Sequence, residues 1–287
     1  MSMNCLKLIL ITAFLVGGSV ITAQATHYDI FLMAGQSNMD GRGAVKDLKD
    51  DLAQYAKPNT NILINFSAGG LKRPLTISQG LKPLQPGYSG TPGNKNPNAL
   101  PAKTFGPEVS FGPSIAESLP GKHVLVIKFA EGGTSLGQDW NPNKKGKLYD
   151  KFIKFVRGTQ EVIKGNGDTC TIRGMLWHQG ESDAGMPAGK YQLALTELIA
   201  RVRNDLGFKD LPFVIGQVYD NGKRTGIIND QKATAKAVAY TGFVDAVGLK
   251  TFDNGTHFNA KSQIELGKRF AFEMVRLLKR SRRGYVE

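Results

Sequence analysis

The chain has 287 residues, with 37 Lys and Arg against 24 Asp and Glu, a formal net charge of +13 and two cysteines. That length holds one large domain or two small ones with ample material for a buried core, and a single α/β domain over 26–287 is the expectation. The charge favours anionic partners, but the basic residues are scattered over loops and helix faces, with no nucleic-acid module and no row of stacking aromatics, which argues against a nucleic-acid binder.

In chain order, residues 8–22 form an apolar stretch behind Lys7 that ends at Ala23-Gln24-Ala25, the small-x-small pattern read by signal peptidase. Gly17-Gly18 interrupts the stretch, and it is short for a membrane span. It predicts a cleaved signal peptide over 1–25, a secreted or periplasmic product and no stable membrane insertion. Cys5 falls within it, so the mature chain keeps only Cys170 and has no intrachain disulfide.

Beyond the signal, short and nearly continuous apolar runs at 28–34, 61–66, 123–130, 172–178 and 212–218 read as strands buried on both faces. Helical patterns at 107–118, 148–163, 188–206, 228–239 and 259–279 lie between and after them. In the last, Ile264, Phe270, Met274 and Leu278 recur at helical spacing while Lys268, Arg269 and Arg276 take the wet side. Strands alternating with helices predict a mostly parallel sheet covered on both faces. The Gly- and Pro-rich segment 68–103 interrupts the pattern and is expected to be a long loop forming a rim over the site. The cluster Lys279-Arg280-Ser281-Arg282-Arg283 reads as a solvated tail.

Ligands of open parallel sheets sit at the carboxyl ends of the strands, and four such places carry chemistry. Gly35-Gln36-Ser37-Asn38-Met39 follows the first strand; a serine there is either a helix N-cap or an exposed nucleophile whose own N–H faces a developing oxyanion. Met39 replaces the second glycine of a Gly-x-Ser-x-Gly elbow, which speaks against a standard α/β-hydrolase turn. After the third strand, Gly132-Gly133 lets the backbone approach a ligand and offers an N–H. After the fourth come Gln179, an amide donor, and the carboxylates Glu181 and Asp183; His178 reads as a core histidine. His257 precedes the last helix and can project from its loop. No histidine pair or cysteine set has metal-ligand spacing, so no metal is expected. A serine, an oxyanion site and a distant histidine are the parts of acyl transfer. Gln36, Asn38 and Trp140 are expected to touch substrate, with Tyr88 and Trp177 as further aromatic candidates for stacking on a sugar.

The segments 31–39, 128–136, 177–183 and 255–258 resemble the four blocks of the GDSL-like (SGNH) hydrolases. More narrowly they resemble the branch with the carbohydrate esterase family six acetylxylan esterases and the sialate O-acetylesterase domain. The resemblance spans about 28–280 and implies a flavodoxin-like three-layer α/β/α sandwich that hydrolyses O-acetyl esters on sugars without a cofactor. It implies Ser37 as nucleophile, His257 as general base, and an oxyanion hole from the N–H groups of Ser37 and Gly133 or Gly132 with the Gln179 amide. One position departs from the pattern: three residues before the histidine, where the family has an acid, stands Asn254. Asp253, Glu181 and Asn254 are therefore alternative partners for His257. Acetylated xylan is the expected substrate, with O-acetylated sialic acid as the alternative. A secreted carbohydrate-binding protein without hydrolysis is the reading from a different class.

Overall fold

The structure, a computed structural model, describes residues 24–90, 100–253 and 255–280. The expected signal peptide therefore lies almost wholly outside the described residues, as do Asn254 and the end of the basic tail.

An eight-stranded sheet is built from β1 (His27–Gly35), β2 (Asn59–Ala68), β3 (Thr76–Ile77), β4 (Lys82–Leu84), β5 (His123–Ala130), β6 (Thr169–His178), β7 (Phe213–Gly216) and β8 (Thr241–Val244). The order across it is β8-β7-β6-β1-β5-β2-β3, and β4 also pairs with β2. Pairings from β8 to β2 are parallel; β3 and β4 add to β2 antiparallel. The helices are α1 (Glu108–Glu117), α2 (Leu148–Gly165), α3 (Lys190–Asp205), α4 (Thr225–Ala237) and α5 (Ala260–Leu278).

The period-2 alternation of β1 shows why its sequence is apolar throughout. Ile30, Leu32 and Ala34 enter one core with α2, α3 and α4, whereas Phe31 and Met33 enter a second with α1 and α5. Two covered faces make the three-layer α/β/α architecture that was expected. Within it, β1 lies between β5 and β6, so the first and third parallel strands exchange the places they hold in the flavodoxin order.

Segment 68–103 is more than a rim. Residues 76–84 extend the sheet edge as β3 and β4, while 69–75 turn to the carboxyl ends of the strands, where Gly69 N–H donates to Ala130 O at 3.2 Å. Register makes those ends level, because Gly35 stands opposite Ala130 of β5 and His178 of β6. Whatever follows these three strands must meet in one crevice.

Candidate active site

The chain leaves β1 through Gly35, where φ is +149° and a Cβ would lie 2.1 Å from His178 O, so only glycine passes. The next residue, Gln36, donates its N–H to the same carbonyl at 3.0 Å. Ser37 then opens a single helical turn, Ser37–Asp40, which leaves its N–H without an intrahelical acceptor.

On the other side, residues 251–253 and 255–259 are tied together across a loop. Thr251 and Phe258 make an antiparallel bridge, Phe252 N–H donates to His257 O at 3.1 Å, and Asn259 N–H donates to Lys250 O at 3.1 Å. Asn259 also caps α5, accepting the Ser262 N–H at 2.9 Å. Inside the loop, Asp253 Oδ1 accepts the N–H groups of Thr256 at 3.0 Å and His257 at 2.8 Å, while its Oδ2 lies 2.5 Å from His257 Nδ1. Burial works against the Asp253 anion, but the two backbone N–H groups and the imidazole outweigh it and hold the carboxyl below the usual carboxylate range.

Across the crevice, His257 Nε2 lies 3.0 Å from Ser37 Oγ. Serine, imidazole and carboxylate thus form one continuous hydrogen-bonded chain at the mouth of a pocket of about 280 Å³. The pocket is lined by Gln36, Gly133, Glu181 and Ser182 besides the serine and histidine, and by three arginines, Arg42, Arg73 and Arg224. Gly132 packs beside Ser37, and Gln36 Nε2 lies 3.4 Å from Ser37 Oγ.

Of the other expected residues, Glu181 reaches the pocket but not His257, while Asn38, Gln179 and Trp140 do not line the pocket. Glu181 lines the pocket but is turned from the histidine; its Oε1 accepts the Asn38 amide at 2.8 Å, so the carboxylate on His257 is Asp253. Asn38 is fully buried and spends its side chain on Glu181, on Thr256 O at 2.9 Å and on the Phe258 N–H at 3.0 Å. It is a brace between the serine turn and the histidine loop, not a substrate contact. Gln179 is also fully buried, its amide directed at Asp183 Oδ2 (2.6 Å), Thr134 O (3.0 Å) and Gln36 Oε1 (3.3 Å), which leaves it no donor for an oxyanion.

Trp140 is 0% exposed, packed edge-on against Trp177 and Phe129, with its indole N–H on Thr134 Oγ1 at 3.0 Å. Trp177 and Tyr88 are buried as well, so none of the three can stack on a sugar. His178 is a core histidine as expected: burial lowers its pKa and it stays neutral, with Nε2 3.1 Å from Gln217 O.

Sequence reasoning missed the arginines and one aromatic. Arg224 braces the histidine loop, donating to Gly255 O at 2.8 Å and Thr256 Oγ1 at 3.0 Å. Arg73 arrives on the 69–75 loop, which Glu131 clamps by accepting the N–H groups of Leu71, Lys72 and Arg73. Phe252 is 60% exposed, its ring parallel to His257 at 6.0 Å between centroids. Only Arg42, five residues after Ser37, had a signal in the local spacing. Among the described residues no group of three or more His, Cys, Asp or Glu is placed to hold a metal ion.

Residues 27–276 match the model of the family described as carbohydrate esterase, sialic acid-specific acetylesterase. The chain belongs to that family. Members are ester hydrolases acting on carbohydrates, in keeping with the pocket's serine and histidine. Among its relatives is the probable carbohydrate esterase At4g34215 of Arabidopsis thaliana, 26% identical over 250 residues, 83% of this chain and 86% of that one. The crystal structure of the Arabidopsis protein superposes with a TM-score of 0.64 at 22% identity, covering 88% of this chain and 99% of that one. NanS gives 0.64 at 14% identity over 91% of this chain and 100% of that one. XAC1771, described as a carbohydrate acetylesterase from Xanthomonas citri, gives 0.61 at 17% identity over 88% of this chain and 57% of that one. These superpositions establish a shared fold.

Proposed function

We propose that this carbohydrate esterase is a serine-dependent O-acetylesterase whose nucleophile is Ser37, whose general base is His257 and whose acid is Asp253. The observation that carries the proposal is the chain of contacts from Ser37 Oγ through the two imidazole nitrogens to Asp253 Oδ2. As Oγ bonds to the acetyl carbon, its proton passes to His257 Nε2, and the carbonyl oxygen becomes an anion facing the N–H groups of Ser37 and Gly133. The carbon–oxygen bond to the sugar then breaks, and the leaving sugar oxygen takes the proton from Nε2. Water, giving a proton to the same nitrogen, adds to the acetyl-serine; collapse returns that proton to Oγ and frees acetate. Asp253 fixes the imidazole tautomer and stabilises its cationic form throughout. The non-catalytic reading drew its support from Asn254; the Asp253 carboxylate on His257 Nδ1 favours catalysis instead.

The arginines favour a sugar that carries a carboxylate, whether a uronate-decorated acetylated xylan or an O-acetylated sialic acid. Arg73 and Arg224 form no ion pair among the described residues, so either guanidinium could take a substrate carboxylate. Release of acetate from acetylated xylan, from its uronate-decorated form and from O-acetylated sialic acid tests the reading. Both acidic substrates should exceed neutral xylan in kcat/KM; a preference for neutral xylan would count against the carboxylate, and no acetate from any of them would count against the esterase. Export, supported by the apolar stretch and Ala23-Gln24-Ala25, is part of the same proposal. No helix among the described residues is long and apolar enough to cross a membrane.

A further inference from the structure

A tetrahedral intermediate needs donors aimed at its oxygen, and the side chain expected to add one, Gln179, is spent elsewhere. Arg42 is a cation placed for that task. It lines the pocket at 7% exposure, and its Nη1 is fixed by Asp40 Oδ2 at 2.7 Å and Gly41 O at 2.6 Å. Asp40 is in turn held through Oδ1 by the Gly90 N–H at 2.7 Å, so the pair is anchored on two segments. Nη2 donates to no group among the described residues. A Cβ placed on Gly132 would lie 2.7 Å from Arg42 Nη2 and 3.3 Å from Ser37 Cβ. The guanidinium and the serine therefore flank the same position beside Gly132, which stays clear because residue 132 has no side chain.

We propose that Arg42 is a catalytic residue: its Nη2 hydrogen-bonds and neutralises the carbonyl oxygen of the scissile acetyl group as that oxygen becomes an anion. It acts on the Gly132 side of Ser37, beside the N–H groups of Ser37 and Gly133. This rests on Ser37 being the nucleophile. Asp40 holds the guanidinium in place before substrate arrives, so reorganisation at the moment of reaction is small.

The test uses 4-nitrophenyl acetate, which carries no carboxylate, and phenylboronic acid, which forms a tetrahedral anion on a serine. In Arg42→Gln, kcat should fall by about 10²- to 10³-fold with little change in KM, and boronate affinity should fall in step with kcat/KM. Arg42→Lys should lie between, since it keeps the charge without the fork. A kcat within about threefold of wild type, or a loss confined to KM for acidic sugars, overturns the proposal. If Arg42→Gln does not fold, Gly132→Ala serves instead: its methyl displaces Nη2 while leaving Asp40 its partner, and wild-type turnover there overturns the proposal equally. Labelling with a fluorophosphonate separates the two failures. An unlabelled Ser37 refutes the nucleophile, whereas a labelled Ser37 with undiminished Arg42→Gln turnover refutes Arg42 alone.

Discussion

Lys128 and Arg224 are both buried cations, and the fold treats them in opposite ways. Lys128, on β5, is fully buried, and so is Glu108 of α1, whose carboxylate it meets at 2.7 Å; its remaining reach goes to Tyr88 O at 2.8 Å. Arg224, 8% exposed at the pocket, is held by Gly255 O, Tyr219 O and Thr256 Oγ1, all neutral acceptors. The first charge is cancelled inside the protein, and that pair ties strand to helix. The second is positioned but left uncancelled where a ligand can reach it. A buried cation without an anion carries a desolvation cost, and at Arg224 that cost is met beside the pocket rather than in the core.

If the comparison holds, changes at the pocket remove chemistry and leave stability, while changes at the buried pair do the reverse. The largest effect is expected for Ser37→Ala, which should lower acetate release by at least about 10⁴-fold without moving the melting temperature, since Ser37 contributes little packing. Asp253→Asn should follow, at roughly 10²- to 10⁴-fold in turnover by comparison with the same change in a serine protease. Steady-state kinetics beside thermal melts checks both, and normal turnover in Asp253→Asn would dissolve the contrast.

Lys128→Ala is expected to cost about 3–5 kcal/mol of stability by stranding Glu108, with kcat of the folded fraction unchanged. Burial already pushes the Glu108 carboxyl up, and removing the lysine removes its main counterweight. In that variant Glu108 should take up a proton on folding, so the loss of stability should shrink as pH falls; urea titrations at several pH values read this directly. The smallest effect is expected for Arg73→Ala: about a tenfold rise in KM for an acidic acetylated sugar and no change for a neutral aryl acetate.

The pH profile sharpens the same contrast. Asp253 is held below the usual carboxylate range, so the stability it lends its loop is present above that range and is lost only as pH falls through the depressed value.

Much of the fold was legible because its central strands are buried on both faces and read as apolar runs; the run at 123–130 coincides with β5. β8, Thr-Gly-Phe-Val, is too short and mixed to stand out, and β3 and β4 were hidden in Gly- and Pro-rich sequence. Strand ends located the crevice, yet which way a side chain points there is a matter of pleat and packing. That is why Ser37, Gly133 and Gln36 line the pocket while Gln179 and Trp140 face the core. The acid was ambiguous for a similar reason: only the loop, with Gly255 at φ +81°, shows that the residue four before His257 reaches back to it. Arg73 and Arg224 come from segments distant in sequence, so no motif joined them to the site.

The most direct test of the central claim, that Ser37, His257 and Asp253 act as one acyl-transfer unit, is to map the adduct left by a fluorophosphonate by mass spectrometry of the digested protein. The account predicts a single adduct on the peptide containing Ser37, absent in His257→Ala and slowed in Asp253→Asn. An adduct elsewhere, or full labelling in His257→Ala, would contradict it.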